Sequence, residues 1–359
     1  MAEHDEDFPR IHGDHLKQYV IDVFTSYGMR PDDARISADI LVESDLRGID
    51  SHGVPRMRMY VDRLEVGMIN LEAELVTVRE TAATITFDAQ NGFGPSSAYR
   101  AMERCIEKAK QSGLCLATVG HSNHFGIAGY YATMALDYPG MAGIAMTNAT
   151  PLLVPTFAKE PALSTAPIAV AFPAGTEDPF VLDAATTSVA WGKVEIARRS
   201  NKPIPRGWAV NSEGETVEDP WEATALMPLG GERKTSGQKG YGLSLLVEVL
   251  CSQLSASLWS KHVSGSRTET PRPTDTSHAF MAINIEAFRP LAEFGASMDD
   301  MLGDLRSMEP MKGHDRVMVP GDPEAIAYAD RSERGIPVHP VVVDELRAMG
   351  EAAGVNVPF

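Results

Sequence analysis

The stretch Leu114-Cys-Leu-Ala-Thr-Val-Gly-His121-Ser-Asn-His124-Phe-Gly126 decides the fold. Its first six residues form an apolar run of strand length. A polar loop with two histidines follows, and residues 127–138 then carry helical spacing. The alternation continues outward in both directions. On the N-terminal side, residues 83–88 read as a strand and 96–111 as a helix. On the C-terminal side, residues 143–147, 167–172 and 180–182 read as strands, and 189–200 as a helix. Strands alternating with helices predict an α/β layered domain.

The ends of the chain read differently. Leu16, Tyr19, Val20, Val23, Phe24 and Tyr27 share one face of a helix over residues 14–27 that ends at Gly28. Pro31 opens a second helix, with Ile36, Ile40 and Leu41 inward, and Gly48 closes it. A third runs over about residues 55–64 and stops at Gly67. Residues 323–334 and 340–352 are helical stretches that finish the chain. At roughly 150 residues per domain, the length suggests two domains. The expected division is a helical domain of residues 1–75 and 320–359, carrying part of the substrate site, and an α/β domain of residues 76–319. Within the latter, residues 242–257 predict a buried helix with Leu245, Leu246, Val249 and Leu250 inward. Residues 278–285 predict a strand, and 258–277 a long loop rich in Ser, Thr, Pro and Arg.

Composition narrows the function. A net charge of -17 argues against a nucleic-acid or anionic-membrane partner, either of which needs a basic face. Three widely spaced cysteines make no disulfide framework. The acidic first residues lack a signal-peptide pattern, and no apolar run approaches the ~18 residues of a membrane span. A reducing cytoplasm is the expected location.

Five segments carry chemistry or mimic it. Asp50-Ser-His-Gly-Val-Pro-Arg56 joins two helices. Pro55 suits a first helical turn, which puts Ser51 or His52 near an N-cap. His52 and Arg56 stand four residues apart and project to one side of an early-starting helix. A guanidinium grips a carboxylate bidentately, and an imidazole beside it exchanges a proton with the oxygen on C2 of a 2-hydroxy acid. The plain alternative is a capped helix with two surface residues. His121-Ser-Asn-His124 follows a strand, where ligands gather in α/β sheets. Its histidines read as acid–base groups, as metal ligands of a hydrolase, or as ordinary loop residues; no third metal ligand is evident nearby. Phe180-Val-Leu-Asp183-Ala-Ala-Thr-Thr187 ends a strand on small residues. Asp183 there orients a histidine, bonds a ribose or caps a turn, and Thr186 and Thr187 are candidate caps for a helix near Val189. Gly237-Gln-Lys239-Gly-Tyr-Gly242 opens a helix as a pyrophosphate cradle or a flexible glycine loop. Val319-Pro-Gly-Asp322-Pro323 is an ordinary helix start with Asp322 at the N-cap. No complete Gly-x-Gly-x-x-Gly turn and no P-loop is present.

Taken in order, Asp50-Ser-His-Gly, His124 with Gly126, Leu182-Asp-Ala-Ala-Thr-Thr, Trp191-Gly-Lys, Lys239-Gly-Tyr-Gly and Pro320-Gly resemble the type-2 malate/L-lactate dehydrogenase family. The likeness runs from about residue 10 to 350. It implies a non-Rossmann NAD(P)-binding domain with a mixed sheet, a helical domain built from both termini, NAD or NADP as cofactor, and a homodimer. It implies His52 or His124, with Asp183, as catalytic residues, and Ser51, Arg56 and Tyr60 against the substrate. It implies cofactor contacts at Asn148, Pro151, Thr165, Asp183, Ala184, Ala185, Lys239, Gly240, Gly321, Asp322 and Pro323, and no metal. The reaction implied interconverts a small 2-hydroxy acid and its 2-oxo acid by hydride transfer; reduction of a cyclic imino acid is the alternative. Ser164-Thr-Ala-Pro167 departs from the Gly-Thr-Asn-Pro of many relatives and removes an amide there. Residues 229–236, with Arg233 and Lys234, read as a lid or a contact for a 2′-phosphate.

Overall fold

In the computed structural model, residues 8–265 and 271–359 are described; the N-terminal reading and the middle of the 258–277 loop lie outside them. The chain begins with β1 (Arg10–Ile11), α1 (Gly13–Ser26), α2 (Pro31–Leu46) and α3 (Met57–Glu65). Then follow β2 (Val76–Glu80), β3 (Thr84–Asp88), α4 (Gly94–Ser112), β4 (Leu114–Ser122), α5 (Ala128–Met134), β5 (Met141–Thr147), β6 (Ile168–Phe172) and β7 (Phe180–Ala184). Next come α6 (Trp191–Arg199), three two-residue strands β8 (Ala209–Val210), β9 (Thr216–Val217) and β10 (Ala225–Leu226), and α7 (Gly237–Glu248), which runs on as a π-helical turn, Val249–Gln253. β11 (Thr276–Asn284), α8 (Leu291–Ser307), α9 (Asp322–Arg334), β12 (Ile336–Pro337) and α10 (Pro340–Ala353) complete it.

The main sheet has seven strands in the order β2-β3-β4-β11-β5-β6-β7. Only β3 and β4 pair in parallel; every other neighbouring pair is antiparallel. A mixed sheet with a late strand threaded through its centre cannot arise from repeated βαβ winding. The opening stretch forms β4, beside that central β11. Alternate apolar residues of β4 (Cys115, Ala117 and Val119) are fully buried under α4. A second apolar cluster joins α1, α2 and α3 to β12 and α10, with Leu16, Tyr19, Val20, Val23 and Phe24 of α1 inward as their spacing predicts. No helix among the described residues is long and apolar enough to cross a membrane.

Several boundaries move. α7 starts at Gly237, five residues before the expected start, and is turned around. Gly240, Ser244, Val247 and Glu248 face inward, while Leu245, Leu246 and Val249 lie 44–48% exposed. Hydrophobicity alone misassigned the inward face, because small residues are what let this helix approach its neighbours. α8 has no counterpart in the sequence reading. α6 begins at Trp191 with no side-chain cap, so Thr186 and Thr187 do not cap it; their hydroxyls donate to the carbonyls of Thr165 and Val189. The N-cap of α9 is Gly321, at φ 105°, and not Asp322.

Candidate functional site

Two 3₁₀ turns, Asp50–His52 and Val54–Arg56, lead into α3. His52 and Arg56 therefore do not lie on one continuous helix. Neither Ser51 nor His52 caps it; no cap in this segment uses a side chain. The backbone is held by Asp45 of α2, whose Oδ2 accepts the Val54 N–H at 2.8 Å. Burial pushes the Asp45 carboxyl well above its ordinary range, against the Val54 bond that lowers it. A Cβ at Gly53 would overlap that carboxyl, so the residue between His52 and Val54 must be glycine. Arg331 of α9 donates to the Asp45 carbonyl at 2.5 Å and pairs with Asp50. The loop is thus fixed from below by two helices far apart in sequence. Above, Ser51 Oγ lies 2.9 Å from His52 Nδ1, and Arg56 Nε donates to the Ser51 carbonyl at 2.6 Å.

His124, from the loop after β4, completes the cluster. Its ring stacks on His52 with centroids 5.6 Å apart and planes 18° apart. Its Nδ1 lies 2.7 Å from Tyr60 Oη, and the Gly126 N–H donates to the same nitrogen at 3.3 Å. Gly126 adopts φ 87°, which glycine permits and which turns its N–H back onto the ring. Tyr60 is fully buried on α3 against Phe24 and Phe93. Burial raises its phenol above the ordinary value, while Arg63 and Arg56 oppose the rise. Both imidazoles are held neutral. Burial, then the charge of Arg56, brings His52 down to about 4. Burial, then His52, Arg56 and Arg63, puts His124 well below its ordinary value of 6.5. The cluster thus combines two neutral imidazoles, a phenol and guanidinium cations. That set can hold an anion and move a proton at an oxygen beside it.

The second group of expected residues gathers at the end of β7, an edge strand. Asp183 Oδ2 accepts the Gly129 N–H at the start of α5 at 2.7 Å. The surrounding protein raises its carboxyl to about 6 even though its outer side is open. The Pro320 carbonyl receives the Val181 N–H at 3.2 Å, which brings Gly321 against Val181 of β7, two residues before Asp183. Asp322 is clamped by Arg306 of α8 at 2.7 Å and accepts the Val319 N–H. Past Ala185, the Thr186 N–H donates to the Thr165 carbonyl and the Thr186 carbonyl accepts the Leu229 N–H. Leu229 in turn packs on Gly240, where a Cβ would overlap its backbone. The start of α7 is therefore tied through Leu229 to the segment that follows β7. The close approach that Gly237 and Gly240 permit is to residues 229–231 of this chain. Asn148 spends its amide on the protein: it donates to Glu248 and the Leu258 carbonyl and accepts the Ser277 N–H. Ala166, in the departing segment, adopts φ 37°, a conformation asparagine takes more readily than alanine.

His121 stands apart from His124. Its Nδ1 pairs with Asp275 at 2.9 Å, and it lies on the exposed side. Among the described residues no group of three or more His, Cys, Asp or Glu is placed to hold a metal. The described part of the 258–277 loop packs beneath the His124 segment, with Thr274 Oγ1 donating to Asn123 Oδ1 at 2.7 Å. The sequence reading missed Asp45, Arg331 and Arg63. For Arg63 a signal existed: it follows Tyr60 by three residues on α3, on the face that Arg56 and Tyr60 already share.

The family described as malate/L-lactate dehydrogenase matches residues 11–347. A malate dehydrogenase of Pyrococcus abyssi is 42% identical over 98% of this chain and 97% of its own length. An L-sulfolactate dehydrogenase of Methanocaldococcus jannaschii is 36% identical over 95% of this chain and 96% of its own. The crystal structure of a malate dehydrogenase from Entamoeba histolytica superposes with a TM-score of 0.93 at 34% identity, covering 98% of this chain and 100% of that one.

Proposed function

The chain belongs to the malate/L-lactate dehydrogenase family, and from that premise we propose how its residues divide the work. The enzyme is an NAD(P)-dependent oxidoreductase interconverting a 2-hydroxy acid and its 2-oxo acid. Relatives named for NAD(+) and for NADP(+) both occur. One observation carries the assignment of the site: His52, His124 and Tyr60 form one contact cluster beside the Arg56 charge.

Arg56 anchors the substrate carboxylate, with Ser51 shaping the rim. The Gly126 N–H aims at His124 Nδ1, so that nitrogen accepts and Nε2 carries the ring proton. His124 then serves as a hydrogen-bond donor to the C2 oxygen, with its tautomer fixed and Tyr60 holding the ring. His52, whose Nδ1 has only the adaptable Ser51 hydroxyl as partner, takes the proton from that oxygen or returns it. Its low proton affinity in the free enzyme rises when a substrate carboxylate offsets Arg56. Asp183 sits where it orients groups between α5 and β7, its carboxylate held by the Gly129 N–H.

The residues at the β7 edge fit a dinucleotide. Lys239 is exposed at the start of α7, where the helix dipole also favours an anion. Lys239 and Gly240 would hold the pyrophosphate. Thr165, Asp183, Ala184, Ala185, Gly321, Asp322 and Pro323 would line the rest, with Asn148 and Pro151 supporting from the neighbouring loop. When bound, the dinucleotide supplies the nicotinamide that carries the hydride. The substrate site then lies between a unit of residues 1–75 and 320–359 and a unit of residues 76–319.

We also propose a homodimer in the cytoplasm. The exposed Leu245, Leu246 and Val249 on α7 and its extension support the dimer, and three buried free cysteines support a reducing compartment. The test of the chemistry is a panel of 2-oxo acids with NADH and with NADPH, read by loss of reduced-cofactor absorbance. At least one acid is turned over, and His52→Gln lowers kcat by about 100-fold or more. Turnover of none, or a larger loss in His124→Gln than in His52→Gln, overturns the assignment.

A further inference from the structure

Next to the His124 loop lies another histidine, to which the site described so far gives no part. His278 of β11 is fully buried between β4 and β5. Its Nε2 lies 2.8 Å from Ser122 Oγ at the end of β4, and its Nδ1 lies 2.8 Å from Thr147 Oγ1 at the end of β5. The Ser122 contact depends on an irregularity of the sheet. Thr276 faces Ser122 while His278 faces Val119, so β4 carries one extra residue at its end, where His121 adopts φ 52°. In a regular strand Val119 and Ser122 point to opposite faces; the extra residue turns the Ser122 hydroxyl to the His278 side. Burial lowers the His278 imidazole to about 3, and both ring nitrogens have partners. The ring is therefore a fixed neutral group and not a proton carrier.

The flat of this ring meets Phe125, with centroids 4.6 Å apart and planes 7° apart. Tyr131 of α5 also stacks on Phe125, at 4.7 Å and 23°, and its hydroxyl donates to the Phe125 carbonyl. Phe125 is the residue between His124 and Gly126, so whatever holds it sets both. The Gly126 N–H reaches His124 Nδ1 at 3.3 Å, just past the usual range for such a bond, and a small movement of residues 124–126 loses it. We infer that His278 is a positioning residue for the reaction: its bonds to Ser122 and Thr147 and its stack on Phe125 hold residues 124–126 so that the Gly126 N–H keeps His124 Nδ1 unprotonated and leaves the Nε2 proton for the substrate oxygen. This rests on the oxidoreductase reading above and adds to it a residue that acts through another.

The experiment compares the full-length enzyme with His278→Asn, His278→Gln and Ser122→Ala. A glutamine amide reaches about as far as Nε2 and keeps the Ser122 bond; an asparagine amide reaches only as far as Nδ1 and keeps the Thr147 bond instead. Each retains one of two buried bonds, so the two melt at similar temperatures. In His278→Asn, kcat per folded chain falls by about 10- to 100-fold while KM for the 2-oxo acid and for reduced cofactor changes little, as displacement of a positioned group predicts. Ser122→Ala, which leaves the ring in place, moves in the same direction, and His278→Gln recovers most of the loss. In the absence of substrate, the nitrogen NMR signals of the His124 ring, identified by their loss in His124→Gln, show one Nε2-protonated form in the parent and in His278→Gln. They show both tautomers in His278→Asn and Ser122→Ala. Three results overturn the inference: an unchanged kcat in His278→Asn and Ser122→Ala, equal losses in His278→Asn and His278→Gln that follow the melting temperature and make His278 a structural residue, or His124 signals that keep one form throughout. Should His278→Asn not fold, Ser122→Ala decides by the same readings. Turnover of no 2-oxo acid by the parent would instead remove the oxidoreductase reading, while the ring signals would still decide whether His278 sets the proton on His124.

Discussion

Tyr60 Oη lies 2.7 Å from His124 Nδ1, which joins α3 to the loop after β4 through one side-chain contact. The bond spans the two parts of the chain that supply the site. Because the Gly126 N–H already donates to the same nitrogen, Tyr60 donates as well, and the neutral ring is locked with its proton on Nε2. Tyr60→Phe removes the hydroxyl and keeps the ring packed against Phe24 and Phe93. The expected result is a kcat lowered about 10-fold with KM little changed, and a stability loss of about 1 kcal/mol. Steady-state kinetics and thermal unfolding check both. A rise in KM with kcat intact would place Tyr60 in ground-state binding instead.

The pH profile reports on His52. Its imidazole titrates at about 4, held down by burial first and by Arg56 second. A nearby cation disfavours protonation, so removing it must raise the pKa. The acid limb of kcat/KM for oxidation of the hydroxy acid, set by the free enzyme, falls near pH 4 in the parent. In Arg56→Met it moves upward, toward but not reaching 6.5, because burial remains. KM rises and kcat falls in the same variant, since the carboxylate is no longer oriented. A limb that stays in place while KM rises would show that Arg56 and His52 are electrostatically independent.

Gly53 is the fulcrum of the loop. Any side chain there would collide with the Asp45 carboxyl, which itself holds the Val54 N–H. Gly53→Ala forces either α2 or the His52–Arg56 segment to shift. Because a displacement of about 1 Å in a positioning group costs on the order of 100-fold, activity falls by that factor or more. Asp45→Asn keeps the shape and an acceptor oxygen and should cost far less. Equal activity in Gly53→Ala and the parent would mean that the loop carries no catalytic geometry.

The legibility of this chain in its sequence follows from which forces were local. The helices over α1 and α2 and the strands β3 to β7 were readable because periodic apolar residues face one packed neighbour. The position of β11 was not. Its sequence reads as a strand, but nothing local says that it inserts between β4 and β5. His52, Arg56 and His124 were legible as motifs and Tyr60 through the family resemblance, and the structure brings them together. Asp45 and Arg331 escaped because their roles are long-range: one holds the Val54 N–H nine residues on, the other returns from α9 to meet it. α7 was read inside out for a related reason. Its inward face is chosen by the close backbone of residues 229–231 against Gly237 and Gly240, a tertiary constraint with no hydrophobic signature.

That inversion yields the last prediction. Leu245, Leu246 and Val249 stand out from α7 and its π-helical extension at 44–48% exposure. Full burial of one such side chain contributes about 1.5–3 kcal/mol. In a two-fold dimer each contact occurs twice, so one substitution alters both halves of the interface. Leu246→Asp therefore places two unpaired carboxylates in an apolar contact, at a cost of several kcal/mol per ion. Light scattering on the parent enzyme should give twice the chain mass, and on Leu246→Asp a single chain. Lys239 sits on the same helix, so dissociation should also raise the apparent Kd for reduced cofactor, measured by fluorescence. A monomeric parent would assign these leucines to some other partner. A dimer that survives Leu246→Asp would move the interface off α7.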